Sequence, residues 1–362
     1  MRELIREHRG KHIWLLAAAA LFLLFLLLRS NRVLMTWLVD HVTQPFKQGL
    51  GALTYLVPIP LAELLYIAMA LGLVWYIVRS ALLIRRAKGR RPRTAYLRLV
   101  GLLCAVLTVL DWFCLAWGIN YYADGFQERS GITAQETIST EELYRVMDYF
   151  TRQLNAASAE IPRDENGLFA VSRDEIFAAS TTIYENSYGE FPFLEQRDRE
   201  PKRMLFSKVL SAMGFTGYYA GFTGESVLNV DSPACLLPAT ITHELAHQRG
   251  IASEQECNFA AVVVATASGN PVYVYSGYLM GYIHLSNALS RADRALWQEL
   301  RAQLDPNVLA DIQYNNAYWD QWESPVDTLS QSAYDLLLKG YGQSDGVQSY
   351  STVVELLVAY YD

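Results

Sequence analysis

Long apolar stretches in the first third of the chain constrain its fold most strongly. Residues 13–28 are apolar without interruption, and Lys11 and Arg29 at either end can reach the headgroups. Two further stretches follow, so the sequence predicts three transmembrane helices at about residues 13–29, 60–80 and 99–119. A cleaved signal peptide is the alternative for the first stretch, but no small-residue cleavage site follows it.

Charge is distributed unevenly along the chain and predicts its orientation. Up to Tyr121 there are 15 basic and 5 acidic residues, whereas the remainder has 15 basic and 32 acidic residues. The loop RRAKGRRPR between the second and third predicted helices has no acidic residue, and such loops stay in the cytoplasm. We therefore expect a multi-pass protein of a bacterial-type cell membrane, with a cytoplasmic N-terminus, a membrane anchor at residues 1–121 and an extracytoplasmic domain at residues 122–362.

The same charge distribution limits the possible partners. The acidic outer domain would repel phosphates, so nucleic acid is not expected, while membrane lipid is. Asp111 in the third predicted helix could mark an ion path, but a single acid in such an anchor more often pairs with a neighbouring helix. A transport or signalling module is therefore a weak alternative.

The outer domain is predicted to be mainly α with a small β element. Helices are expected in STEELYRVMDYFTRQLNAA, SRDEIFAASTTIYENSY and MLFSKVLSAMGF, and at about residues 270–289, 293–304 and 352–361, with a connecting loop at 339–350. Residues 214–231 have the pattern of a short hairpin. The segment 224–237 is either an edge strand for an extended substrate or a plain hairpin strand, and Glu225 is expected to be solvated. Cys235 and Cys257 either form a disulfide or are small buried residues.

The motif HELAH carries the clearest chemical signal. His243 and His247 are four positions apart, so on a helix their imidazoles are about 40° apart with about 6 Å of rise and can reach one metal ion. Glu244 projects onto the adjoining face, where it can act as general base toward a metal-activated water. Pro238 suits the first turn of such a helix and Gly250 its end.

Catalytic zinc usually has three protein ligands, so a third must come from elsewhere. SEQECNFAAVVVAT follows the turn and offers Glu254 and Glu256. Ser253 and Glu256 match a capping box, which gives Glu256 a structural role and favours Glu254 as the ligand, although geometry could reverse this choice. Asn258, one turn beyond Glu254, could hydrogen-bond a ligand.

A second electrophile often assists amide hydrolysis, and several side chains are candidates. Surface charge or aromatic packing is the more ordinary role for each of them. They are Arg249, His284, Tyr273, Tyr275, Tyr278 and Tyr282.

HELAHQRGIASEQECNFAA resembles the signature of gluzincin-type zinc metallopeptidases, in which HExxH is followed by a helix reading E-x-x-x-D or E-x-x-x-N. Glu254 and Asn258 occupy those two places, although the six residues between His247 and Glu254 form a shorter gap than in most gluzincins. The predicted spans, GFTGES and LLLKGYGQSDGVQSYSTVVELL make nearly the whole chain similar to a bacterial membrane family, domain of unknown function 3810. This resemblance implies a zincin-like α+β extracytoplasmic domain.

We therefore expect a zinc-dependent metallopeptidase that hydrolyses amide bonds in a peptide or protein substrate, with cell-envelope proteins among the candidates. The expected Zn²⁺ ligands are His243, His247 and Glu254, and Glu244 is the expected catalytic base. The alternative is a non-catalytic metal-binding envelope scaffold or sensor, for which Glu244 would have no evident use.

Overall fold

The computed structural model describes residues 6–135, 137–341 and 350–362. The chain divides into two compact units, of which the first comprises Met1–Thr54, Leu61–Ala123 and Gly221–Thr223 and the second comprises the remaining residues. Most of the predicted loop at 339–350 lies outside the described residues.

The first unit consists of helices. In chain order they are α1 (Arg9–Leu28), α2 (Arg32–Leu38), α3 (Gln44–Thr54), α4 (Leu61–Arg86) and α5 (Arg91–Ala116), with a π-helical turn at Val39–Thr43 between α2 and α3. Within the described residues, α1, α4 and α5 are long and apolar enough to cross a membrane. The three predicted apolar helices are confirmed, whereas α2 and α3 were not predicted.

The second unit is also mainly helical. Its α-helices are α6 (Phe126–Ser130), α7 (Thr140–Ser158), α8 (Arg173–Ala179), α9 (Ser207–Ala212), α10 (Leu237–Gln248), α11 (Glu254–Ala267), α12 (Pro271–Ala292), α13 (Arg294–Arg301), α14 (Pro306–Asp320), α15 (Pro325–Gly340) and α16 (Tyr350–Tyr361). Ser139 and Glu142 form a capping box at the start of α7. The sequence patterns did not predict α14 and α15.

The small β element is a three-stranded sheet in the described chain. Its strands are β1 (Lys202–Arg203), β2 (Gly217–Ala220) and β3 (Glu225–Leu228). The strand order is β1-β3-β2, with β2 antiparallel and β1 parallel to β3. The predicted hairpin is therefore present, but the edge-strand interpretation of segment 224–237 is wrong, because β3 is central and β2 lies at the edge.

Glu225 is buried, so the expectation that it is solvated was wrong. Its side chain is fully enclosed and forms an ion pair with Lys202 of β1. The Lys202 amine also lies over the Tyr55 ring, 5.1 Å from its centroid. A buried carboxylate needs such a cationic partner because removal from water destabilises an isolated charge.

The core of the second unit lies around α12, which packs against α7, α10, α11 and α16. Aromatic side chains fill much of this core, and the rings of Phe150 and Tyr278 meet edge to face with centroids 5.5 Å apart. Cys235 and Cys257 are buried as free thiols in the described chain, which agrees with the packing interpretation rather than a disulfide.

We expect Gly281→Ala to destabilise the second unit, because α12 approaches α7 closely at this position. A Cβ at Gly281 would lie 2.3 Å from Cε1 of the buried Phe150 ring. Overpacking costs about 1–3 kcal/mol, which exceeds the gain of up to about 1 kcal/mol from replacing a helical glycine. Thermal unfolding of the purified protein would measure the difference. Gly189→Ala is the control, since its Cβ would contact nothing within 4 Å, and equal midpoints for the two variants would contradict the prediction.

Candidate metal centre

The HELAH motif lies on α10, which is buried along nearly its whole length. Pro238 is in the first turn, where its missing N–H requires no partner. The hydroxyls of Thr240 and Thr242 donate to the carbonyl oxygens of Leu236 and Pro238, one turn earlier. The helix can therefore be enclosed by apolar neighbours without leaving these hydroxyls unpaired.

A tight turn follows α10 and brings the chain back toward His247. Gly250 has a φ of 91°, in the left-handed region that favours glycine. The Gly250 amide donates to His247 O and the Ile251 amide to Ala246 O, which is the Schellman pattern. The Ile251 carbonyl then accepts a hydrogen bond from Nδ1 of His247 at 2.8 Å.

Helix α11 begins four residues after Gly250 and supplies two side chains to the same region. Ser253 caps the helix, and Glu254 is its first residue. Asn258, one turn later, lies with Oδ1 2.9 Å from Nδ1 of His243. The six residues between His247 and Glu254 are thus enough to bring Glu254 back to the histidines, because the turn at Gly250 reverses the chain.

These hydrogen bonds orient both imidazole rings. A carbonyl oxygen can only accept, so Nδ1 of His247 donates its proton to Ile251 and Nε2 is the nitrogen that faces Glu254. The contact of His243 with Asn258 Oδ1 has the same consequence. One ligand atom each from His243, His247 and Glu254 lie within 4.8 Å of one another.

Glu254 faces the two Nε2 atoms with one carboxylate oxygen toward each. Oε2 lies 3.2 Å from Nε2 of His243, and Oε1 lies 3.4 Å from Nε2 of His247. The side chains of His243, His247 and Glu254 are 12%, 7% and 21% exposed. Burial opposes ionisation of Glu254, but the adjacent imidazoles hold the pKa of its carboxyl well below its usual range. The cluster is therefore an enclosed set of two nitrogens and a carboxylate.

Glu256, the alternative third ligand, is directed elsewhere. Its carboxylate accepts the Phe126 amide at 2.7 Å and Nε2 of Gln127 at 3.1 Å, so it satisfies donors at the start of α6. The Glu256 amide donates to the Ser253 hydroxyl, so this half of the predicted capping box forms. The carboxylate of Glu256 does not complete the box, because it accepts hydrogen bonds from the start of α6 instead.

Glu244 lies on α10 next to the two histidines and is 3% exposed. Its Oε2 is buried and has no hydrogen-bond partner among the described residues. Burial raises the pKa of this carboxyl to about 7. Strand β2 approaches closely at Gly217, where an added Cβ would lie 3.0 Å from Oε1 of Glu244. Any larger residue at 217 would crowd this carboxylate.

The predicted electrophile candidates mostly have other roles. The guanidinium of Arg249 is enclosed, pairs with Asp198 at 2.8 Å and stacks on the Tyr184 ring. Tyr273 donates to a backbone carbonyl and Tyr275 to Asp311. Tyr278 approaches Tyr149, and Tyr282 is buried in the core.

His284 on α12 is buried close enough to His243 for the two imidazoles to interact electrostatically. Burial, with a further contribution from His243, lowers the pKa of His284 to about 4. His284 is therefore neutral near pH 7.

Tyr334 of α15 reaches the cluster, and sequence reasoning missed it. Its hydroxyl donates a short hydrogen bond to Oε1 of Glu254. The Phe215 ring packs edge-on against the Tyr334 ring, with centroids 5.5 Å apart. No spacing rule connects Tyr334 with Glu254, which lies 80 residues earlier in the chain.

The chain is thus a mainly helical protein with three long apolar N-terminal helices and a buried His-His-Glu cluster. The profile of a family described as protein of unknown function (DUF3810) matches residues 40–358, so the chain belongs to that family. No curated protein and no solved structure matches it.

We expect Glu254→Gln to weaken metal binding, whereas Glu256→Gln should lower the stability of the fold and leave metal binding intact. Glu254→Gln removes the charged donor that faces both Nε2 atoms, so zinc affinity should fall by more than the roughly 10–100-fold typical of an outer-shell change. Glu256→Gln should retain zinc but lose about 1 kcal/mol of stability, because a neutral acceptor serves the Phe126 amide less well. Zinc analysis and thermal unfolding of both variants test this expectation, and loss of zinc from Glu256→Gln alone would contradict it.

Proposed function

We propose that this protein is a membrane-anchored zinc metallopeptidase with a zincin-like extracytoplasmic domain. The observation that carries the proposal is the arrangement on α10 and α11. Two imidazoles present Nε2 toward one carboxylate, and Glu244, whose buried Oε2 has no protein partner in the described chain, lies beside them. The resemblance of HELAHQRGIASEQECN to gluzincin signatures supports the same chemistry.

The donor set fits zinc. Two imidazole nitrogens and one carboxylate are a ligand combination that catalytic zinc sites use. The hydrogen bonds at Nδ1 of His243 and His247 are the outer-shell contacts that such sites require. When bound, zinc would supply a Lewis acid that polarises the substrate carbonyl and lowers the pKa of water.

Glu244 would act as the general base and then as the general acid. Its carboxylate takes a proton from the attacking water and returns it to the nitrogen of the leaving amine, so a single group serves as base and then as acid. The buried position of Glu244 excludes bulk water, which would otherwise weaken the carboxylate as an acceptor.

An extended peptide is the substrate that best suits the surroundings of Glu244. Strand β2 is the edge of the sheet, and Gly217 at its start approaches Glu244 closely. Asn229 donates to Thr216 O, so in the antiparallel pattern the Gly217 backbone groups point away from β3. A peptide added along this edge would bring its amide bonds beside Glu244.

A non-catalytic metal-binding scaffold or sensor is the competing proposal. It would explain His243, His247 and Glu254 but not Glu244, because a buried carboxylate oxygen without a hydrogen-bond partner destabilises a fold that makes no use of it. Catalysis explains all four residues.

We expect Glu244→Gln to retain zinc and to lose peptide cleavage. The amide keeps the volume of the side chain but cannot accept a proton, so the cleavage rate should fall by about 10²–10⁴-fold. A peptide-library digest with and without chelator, together with zinc analysis, measures both properties. Glu256→Gln is the matched control and should cleave like the wild type. Equal behaviour of wild type and Glu244→Gln in every hydrolysis assay would favour the scaffold.

We also propose that the second unit is extracytoplasmic, because the basic loop between α4 and α5 favours the cytoplasm. Alkaline phosphatase is active only outside the cytoplasm, so a fusion at Gly89 should be inactive and one at Gly131 active. Reversed activities would contradict this topology.

A further inference from the structure

We propose that Tyr334 is a positioning residue that holds Glu254 so that it presents one carboxylate oxygen, Oε2, to the metal. This inference rests on the proposed zinc centre and assigns a role to α15. Tyr334 contributes its hydroxyl to Oε1 of Glu254, which leaves Oε2 as the oxygen nearest Nε2 of His243.

One face of α15 is hydrogen-bonded to residues 213–214, which precede β2. Asp327, Gln331 and Tyr334 are at positions i, i+4 and i+7 and therefore share one face of the helix. Nε2 of Gln331 donates to Gly214 O at 3.1 Å and to Met213 O at 3.4 Å. These contacts fix the depth at which α15 lies over this segment.

Gly214 allows this close approach. Its φ is 77°, and an added Cβ would lie 2.2 Å from Oδ1 of Asp327. The next residue, Phe215, packs its ring edge-on against Tyr334. Two kinds of contact therefore fix the position of the Tyr334 ring. The hydrogen bonds of Gln331 position the backbone of α15, and the Phe215 ring packs against the Tyr334 ring itself.

The hydrogen bond at Oε1 affects how Glu254 can bind a cation. A carboxylate can coordinate through one or both oxygens, and an O–H donor at Oε1 competes with the metal for the electron pairs of that oxygen. Single-oxygen ligation through Oε2 would leave zinc with three protein ligands and an open position, as catalytic sites require. Tyr334 would thus perform for Glu254 the function that Ile251 and Asn258 perform for the histidines.

The test compares Tyr334→Phe with Tyr318→Phe in the full-length protein purified in detergent. Each substitution removes one hydroxyl that donates to a carboxylate, but the Tyr318 hydroxyl bonds Asp231 at 2.9 Å rather than a candidate ligand. Phenylalanine preserves the ring that packs against Phe215, so the fold should be retained. The measurements are zinc affinity, by competition with a chromophoric chelator, and the visible absorption spectrum of the Co²⁺-loaded proteins.

We expect Tyr334→Phe to bind zinc about 10–100-fold more weakly than the wild type, as removal of an outer-shell partner typically causes. Its Co²⁺ bands should weaken and shift, because two-oxygen binding raises the coordination number, whereas Tyr318→Phe should match the wild type in both measurements. Wild-type affinity and spectrum in Tyr334→Phe would overturn the role of Tyr334 and leave the zinc centre standing. An equal loss in Tyr318→Phe would also overturn it, whereas absence of zinc binding by the wild type would overturn the proposed function itself.

Discussion

The candidate metal centre depends on the hydrogen bonds at Nδ1 of His243 and His247. The Ile251 carbonyl and the Asn258 side chain occupy these nitrogens and turn both Nε2 atoms toward Glu254. Rotation of either ring would put its lone pair out of reach of a shared cation and would leave a buried N–H without an acceptor. The polar contacts outside the cluster therefore determine its geometry as much as the three candidate ligands do.

The fold supplies those contacts with a short connection between two buried helices. The Schellman turn at Gly250 positions the Ile251 carbonyl, and Ser253 starts α11 so that Glu254 and Asn258 face α10 one helical turn apart. Because α12 packs against both helices, displacement of either would disturb the aromatic core. Sites built on packed helices are held more precisely than sites on loops.

Features with a local cause could be predicted from the sequence, and features that join distant segments could not. The helix of HELAH, its start near Pro238 and its end at Gly250 follow from spacing and capping rules, as do the three long apolar helices. Glu225 was misjudged because its cation, Lys202, is on a different strand. Tyr334 was missed for a similar reason, since α15 returns to the cluster only through tertiary packing. Glu256 combines a local and a long-range contact. Its amide donates to the Ser253 hydroxyl as the capping rule predicts, while its carboxylate accepts the amide of Phe126 in α6.

X-ray absorption at the zinc edge of the purified full-length protein tests the central claim most directly. The account predicts one zinc ion per chain with only nitrogen and oxygen neighbours at about 2.0–2.2 Å and the outer scattering of two imidazoles. A sulfur shell near 2.3 Å would contradict it, because Cys257 lies next to His247 and would then be a ligand. Absence of stoichiometric zinc after loading would contradict it as well.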